Sequence, residues 1–201
     1  MKFQKCYKVP RAKEIKESYV VKEGYINANV DRESIGLLIY KFLLAMDEPS
    51  VMFLEVPCGR DKELELRKSD SDPLHRDLYY MEFETRESAV ATWCDYRDIL
   101  LNCGACYFGF FSGNGSDRIE IGIYKYNEVY LHYSEVMFER IKRMLDSLDI
   151  PQVDELVTAW ENFSEEKPGQ TKACRIKGWS IYDMIDELEE YGLYHDSVVE
   201  D

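Results

Sequence analysis

Hydrophobic and polar positions alternate most regularly in the segment 105–133. Aromatic residues dominate positions 107–111, and the three isoleucines of 119–123 alternate with polar or small residues. A period of two is typical of strands that bury one face. The Gly- and Asn-rich residues 112–116 suit a hairpin loop. The segment therefore predicts three consecutive antiparallel strands, around which the rest of the chain is expected to pack.

Elsewhere the spacing of hydrophobic residues predicts five helices and several further strands. The helices are expected to begin near residues that favour a helix start, at Asp31, Thr85, Ser134, Pro151 and Ser180. Further strands are predicted at 3–9, 19–28, 51–56, 63–67 and 78–84. The tail His195–Asp201 is expected to be frayed.

These elements predict an α+β fold with a mostly antiparallel sheet covered by helices. The order helix, strand, strand, strand occurs twice between Asp31 and Tyr133, which suggests two α-β-β-β units. A helical C-terminal subregion is expected at about 134–192. With 201 residues, the chain 1–201 is expected to form one domain.

The composition is strongly acidic. The chain has 39 Asp and Glu against 25 Lys and Arg, a net charge of −14, and no Lys or Arg follows Gly178. Such a surface repels nucleic acid and anionic membranes and attracts a basic protein partner. The sequence has no apolar run long enough to span a bilayer and no signal-peptide pattern, so we expect a cytoplasmic protein with six reduced cysteines.

The residue types that carry most catalytic or metal chemistry occur without the spacing that such chemistry needs. Cys103 and Cys106 have the spacing of a redox pair, but they follow a predicted helix instead of beginning one, and no second pair exists to complete a zinc site. Asp70 and Asp72 predict a solvated turn and not a calcium loop. The sequence therefore predicts no catalytic residue, no metal and no cofactor.

The last predicted helix offers the best candidate for a partner-binding surface. Its outward positions are acidic, and tyrosines occur among them, a combination found at protein interfaces. The candidate partner-binding residues are Asp183, Asp186, Glu187, Glu190, Tyr182, Tyr191 and Tyr194.

Two segments, SGNGSDRIEIGIYKYNEVYLHYS and VTAWENFSEEKPG, resemble parts of small acidic cytosolic bacterial proteins of unassigned function. Some proteins of this kind are immunity proteins, which bind and block a toxin made by the same cell. The resemblance implies a non-enzymatic inhibitor whose partner is a basic toxin or enzyme, and it implies no catalytic residue.

Two other functions stay open on the sequence. The aromatic residues of 107–111 and 124–133 suit a small-molecule or enzyme pocket between the sheet and the helices. Pairing of sheet edges would instead make a homo-oligomeric structural subunit. A strongly perturbed carboxylate or thiol in a deep cleft would favour the enzyme, and an acidic patch beside exposed tyrosines would favour the inhibitor.

Overall fold

The computed structural model describes residues 1–69 and 71–201, and Asp70 of the predicted turn lies outside the described residues. The strands are β1 (Tyr7–Lys8), β2 (Ser18–Lys22), β3 (Tyr25–Asn29), β4 (Ser50–Pro57), β5 (His75–Phe83), β6 (Tyr107–Ser112), β7 (Ile119–Ile123), β8 (Glu128–His132), β9 (Gln170–Thr171) and β10 (Tyr194–Glu200). The α-helices are α1 (Ile35–Leu43), α2 (Arg60–Leu66), α3 (Arg86–Asn102), α4 (Glu135–Asp146) and α5 (Ile181–Glu189).

Eight of these strands form one sheet, in the order β10-β5-β4-β6-β7-β8-β3-β2. Every neighbouring pair in this sheet is antiparallel. Strands β1 and β9 form a separate two-stranded sheet. The predicted α+β class and the three consecutive antiparallel strands β6, β7 and β8 are therefore confirmed.

One face of the large sheet forms the core with the helices. Its alternate side chains are fully buried together with the apolar faces of α1, α3, α4 and α5. Trp93 of α3 is at the centre, with its ring stacked 6.1 Å from Phe108 and edge-on 6.4 Å from Phe110. Burial of this apolar surface is the main source of stability for such a fold.

The opposite face, called here the open face, carries the other alternate residues of the same strands, among them Tyr80, Tyr107, Phe111 and Tyr130, together with Tyr124 directly after β7. Most of these side chains remain half-buried. The ring of Phe53 lies across this face over Gly109, where an added Cβ would be 2.4 Å from the ring and 2.2 Å from the carbonyl oxygen of Ile121. Gly109 therefore lets an aromatic ring lie flat on the sheet.

The prediction of a strand around Leu64 and Leu66 is wrong. This segment forms the seven-residue helix α2, in which both leucines are exposed, at 68% and 39%. Their alternation with charged residues therefore does not mark a half-buried strand. Because a helix stands at this position, the chain does not repeat an α-β-β-β unit.

The C-terminal third is helical only in part. Helices α4 and α5 are present, but the helix predicted to begin at Pro151 is not, and this segment has only a short 3₁₀ turn at Trp160–Asn162. Its backbone instead pairs with Tyr19, which covers the outer edge of β2. The tail expected to be frayed is strand β10, which pairs with β5.

Several predicted boundaries also moved. Thr85 and Ser180 accept hydrogen bonds from backbone N–H groups at the starts of α3 and α5, as predicted. Helix α1 begins at Ile35 and not at Asp31. The single strand predicted over 19–28 is the hairpin β2–β3, because Gly24, with φ +82°, permits a tight turn.

Candidate functional site

A long groove lies between α3, α5 and the end of β5, and we call it the acidic groove. Its larger part, of about 630 Å³, is bounded by Glu82, Glu84 and Ser88 on one side and by Glu187 and Tyr191 on the other. A second part of about 270 Å³ continues towards Trp179. The two parts share three lining residues, Asp95, Tyr96 and Glu187, so they form one continuous surface.

Carboxylates dominate the walls of the acidic groove. Five lining residues are acidic: Glu82, Glu84, Asp95, Asp98 and Glu187. Among the described residues that line the groove, Lys177 is the one Lys or Arg. The groove therefore has an excess of negative charge, which attracts cationic groups.

The aromatic residues of the acidic groove fix its shape and offer contact area. The hydroxyl of Tyr96 donates a hydrogen bond of 2.8 Å to Oε2 of Glu187, which connects α3 to α5. Burial, together with this carboxylate, raises the pKa of Tyr96 well above its usual range. Tyr191 and Trp179 are exposed, at 68% and 41%. Exposed aromatic rings beside carboxylates are typical of protein-binding surfaces.

The structure separates the partner-binding residues predicted from the sequence. Glu187 and Tyr191 line the acidic groove. Asp186 and Glu190 are exposed on the same helix or just after it. Tyr194 lies instead on the open face, with its ring 6.3 Å from that of Tyr80.

Asp183 and Tyr182 have local structural contacts. Asp183 completes a capping box with Ser180 at the start of α5 and pairs with Arg175 at 3.4 Å. The hydrogen bonds from Ser180, helped by Arg175, lower the pKa of this carboxyl. The hydroxyl of Tyr182 donates to the carbonyl oxygen of Pro57. Both residues therefore position α5, whatever else they contact.

Sequence reasoning missed the groove carboxylates that come from α3 and β5. Asp95 and Asp98 lie on α3 and were not among the predicted partner-binding residues. Only the packing of α3 beside α5 brings them close to Glu187. An acidic exposed side on both helices was the available signal, but it does not reveal that the helices are neighbours.

A second cavity, called here the aromatic pocket, lies on the open face and has a volume of about 310 Å³. It is lined by Tyr107, Tyr124, Lys125, Glu128, Tyr130, His132 and Trp160. Three of its tyrosine rings are in contact, because Tyr124 is 5.2 Å from Tyr107 and 5.1 Å from Tyr130. The sequence predicted a pocket from these aromatic segments between sheet and helices. The structure places it on the opposite face, because Phe108 and Phe110 fill the helix side.

Glu128 is the unusual residue of the aromatic pocket. Its side chain is 5% exposed overall, and its Oε1 atom has no hydrogen-bond partner in the described part of the chain. Burial raises the pKa of Glu128 to about 7, although hydrogen bonds with Thr158 and Trp160 lower it in part. The repulsion of Glu161 raises it further. Leaving a buried carboxylate oxygen unpaired costs stability, so such a group often marks a functional position.

Local backbone geometry positions the pocket walls. Between β7 and β8 the chain turns through Tyr126 and Asn127, both with positive φ near +60°. The buried side chain of Asn127 fixes this turn by donating to the carbonyl oxygen of Val30 and accepting from the N–H of Gln4. The ring of Tyr126 contacts Trp160 edge-on at 5.0 Å, which holds that indole at the mouth of the pocket.

The thiol pKa values of Cys103 and Cys58 are shifted in opposite directions. Cys103 has its pKa lowered to about 6, because it accepts a hydrogen bond from Cys106 and further bonds from the backbone N–H groups of Ala105, Cys106 and Cys174. The donors come from a turn and a distant segment, so the position after α3 did not reveal them. Burial raises the pKa of Cys58 to about 11. Cys103 is only 2% exposed, which limits its reaction with solutes despite its thiolate character.

Metal-binding clusters and membrane-spanning helices are absent from the described part of the chain. Among residues 1–69 and 71–201, no group of three or more His, Cys, Asp or Glu side chains is arranged to hold a metal ion. Within the same residues, no helix has both the length and the apolar character needed to cross a membrane. No protein-family model matches the sequence, and comparison with curated proteins and with solved structures found no match.

Proposed function

We propose that this protein is a non-enzymatic binding protein that inhibits a basic protein partner, in the manner of an immunity protein, by holding a cationic segment of it in the acidic groove. One observation carries the proposal: the groove walls present five carboxylates and one lysine. The net charge of −14 extends the attraction beyond the groove itself. The site of action would be the cytoplasm.

The shape of the acidic groove supports an elongated cationic segment as its occupant. The carboxylates of Glu84 and Asp95 lie on the β5–α3 side, and that of Glu187 lies on the α5 side. Lysine or arginine side chains of the partner would pair with both walls. The rings of Tyr191 and Trp179 would bury apolar area around these pairs, because desolvated aromatic contacts supply most of the binding free energy at such interfaces.

Inhibition would follow from occlusion. A toxin or enzyme that acts on an anionic substrate carries basic residues at its substrate site, and the acidic groove would occupy them. Electrostatic attraction would speed association, and salt would slow it, because charges farther apart than about 8–10 Å are screened at physiological ionic strength.

The test is a pull-down from a native lysate of the producing cells with three immobilised proteins. These are the wild type, a groove variant with Glu84→Gln, Asp95→Asn and Glu187→Gln, and a control variant. The control carries Glu23→Gln, Asp154→Asn and Glu165→Gln, three exposed positions that do not line the groove, so that both variants lose the same charge.

We expect one basic protein to bind the wild type and the control variant at low salt, to leave at high salt, and to be missing from the groove variant. Equal retention by the two variants would show that net charge alone attracts the partner. An empty column at either salt concentration would also contradict the proposal.

A further inference from the structure

The aromatic pocket has features that the proposed function does not use. It lies on the open face of the sheet, whereas the acidic groove lies between α3 and α5, and the two cavities share no lining residue among the described residues. Its volume of about 310 Å³ is at the lower end of the range for small-molecule sites. It is large enough to admit a ligand of a few carbon atoms.

Glu128 determines what such a ligand must offer. Its Oε1 atom is buried and lacks a hydrogen-bond partner among the described residues, while its side chain lines the pocket. When Glu128 is ionised, its carboxylate oxygen accepts hydrogen bonds, so the missing partner is a donor. A cationic N–H donor would satisfy the oxygen and also neutralise its charge, and charge-assisted bonds of this kind are the strong ones.

The walls favour the same chemistry. Tyr124, Tyr130 and Trp160 present aromatic rings, which bind both alkyl groups and cations. Trp160 is half exposed, so its ring is accessible to a ligand. An anionic ligand would instead meet the carboxylate of Glu128 within a strongly acidic protein.

The lysine at the pocket does not provide the missing donor. Nζ of Lys125 lies 3.5 Å from Oδ2 of Asp201 and 5.1 Å from the centre of the Tyr107 ring. Arg76 covers the same ring at 3.9 Å and pairs with Asp201 and Glu55. Both cations are therefore engaged at the Tyr107 end, and Glu128 keeps its unpaired oxygen.

We infer that the aromatic pocket is a binding site for a small primary alkylamine, whose ammonium group donates to Oε1 of Glu128 and whose alkyl chain lies against Tyr124, Tyr130 and Trp160. This site is separate from the acidic groove. Protein binding in the acidic groove and amine binding in the aromatic pocket can therefore be tested separately, and a negative result for one does not contradict the other.

The experiment uses butylamine as the probe and the indole N–H signals of the full-length protein in a proton–nitrogen NMR spectrum. The chain has three tryptophans, and Trp160→Phe identifies the signal of the pocket. We expect butylammonium to shift the Trp160 signal and to leave those of the buried Trp93 and the groove residue Trp179 in place. A shift confined to Trp179 would place the amine in the acidic groove and overturn the inference.

Two further probes separate the contributions of charge and hydrogen bonding. Tetramethylammonium has the charge but no N–H donor, and butanol has the alkyl chain but no charge. Both should bind at least about tenfold more weakly than butylammonium, because each lacks part of the charge-assisted bond. Equal binding of tetramethylammonium would contradict the assigned role of Oε1.

Glu128→Gln keeps the shape of the side chain and removes its charge. We expect this variant to bind butylammonium at least about tenfold more weakly than the wild type. Glu120→Gln is the matched control, because Glu120 lies on the same sheet face, pairs with Arg118 and does not line the pocket. Unchanged affinity in Glu128→Gln, or the same loss in Glu120→Gln, would overturn the inference.

Discussion

Replacing Glu128 by glutamine should change how the stability of the protein depends on pH. The folded state raises the pKa of this carboxyl from 4.5 to about 7, mainly through burial. Because the folded pKa lies above the unfolded one, the contribution to stability is fully present below the unfolded value. It is lost as pH rises through about 7. A shift of this size corresponds to about 3 kcal/mol in total.

The lower part of the pH range between these two pKa values lies close to the isoelectric point of the protein, near 4.7, where precipitation would interfere with unfolding measurements. Between about pH 5.5 and about pH 8.5, the linkage relation still predicts a change of about 2 kcal/mol. The free energy of unfolding of the wild type should therefore fall by that amount relative to Glu128→Gln. Urea denaturation at both pH values, followed by circular dichroism, measures it.

Glu120→Gln again provides the control for the loss of one carboxylate, because Glu120 lies on the same sheet face as Glu128 but does not line the pocket. Parallel profiles for the wild type and Glu128→Gln would show that Glu128 ionises as an ordinary surface carboxylate. The structural reason for a cationic ligand in the aromatic pocket would then be lost.

Three other substitutions test the packing and the thiol chemistry. Trp93→Ala should cost about 3–5 kcal/mol in urea denaturation, because it empties the centre of the core. Gly109→Ala should cost roughly 3 kcal/mol or more, because its Cβ would overlap the ring of Phe53, whereas Gly59→Ala has open space and should stay within about 1 kcal/mol. Similar effects at the two glycines would contradict the packing described on the open face. The thiolate absorbance should show a titration step at about pH 6, and this step should be absent from Cys103→Ser. A step that persists in this variant would assign the thiolate to another cysteine.

The central strands were predictable because each buries one face completely. In β7, the three isoleucines point to the core and the residues between them do not, so the period of two is visible in the sequence. Strand β10 has no such contrast. It lies at the sheet edge with residues that are exposed or half-buried, and its pairing with β5 depends on backbone hydrogen bonds that leave no hydrophobic pattern.

The candidate sites were predictable only where they lie within one element. Glu187 and Tyr191 were identified because α5 and the residue that follows it are acidic and aromatic by themselves. Glu84 and Asp95 join them only through the packing of α3 beside α5. No sequence pattern singled out Glu128, which is buried because a segment about thirty residues later, including Trp160, covers that end of the sheet.

On the sequence, a perturbed carboxylate would indicate an enzyme, and an acidic patch beside exposed tyrosines would indicate an inhibitor. Both features are present, in different parts of the structure. The perturbed carboxylate, Glu128, lies in the aromatic pocket on the open face. The acidic surface with exposed aromatic residues lies in the groove between α3 and α5. The two surfaces therefore lie in different parts of the fold, and each can be tested separately.

The measurement that tests the central proposal most directly is hydrogen–deuterium exchange of this protein with and without the captured basic partner. We expect slower exchange in the segments that line the acidic groove, 82–98 and 176–191, and unchanged exchange in β7 and β8. Protection of β7 and β8 with an unchanged α3 and α5 would place the partner on the open face. That result would contradict the acidic groove as the binding site.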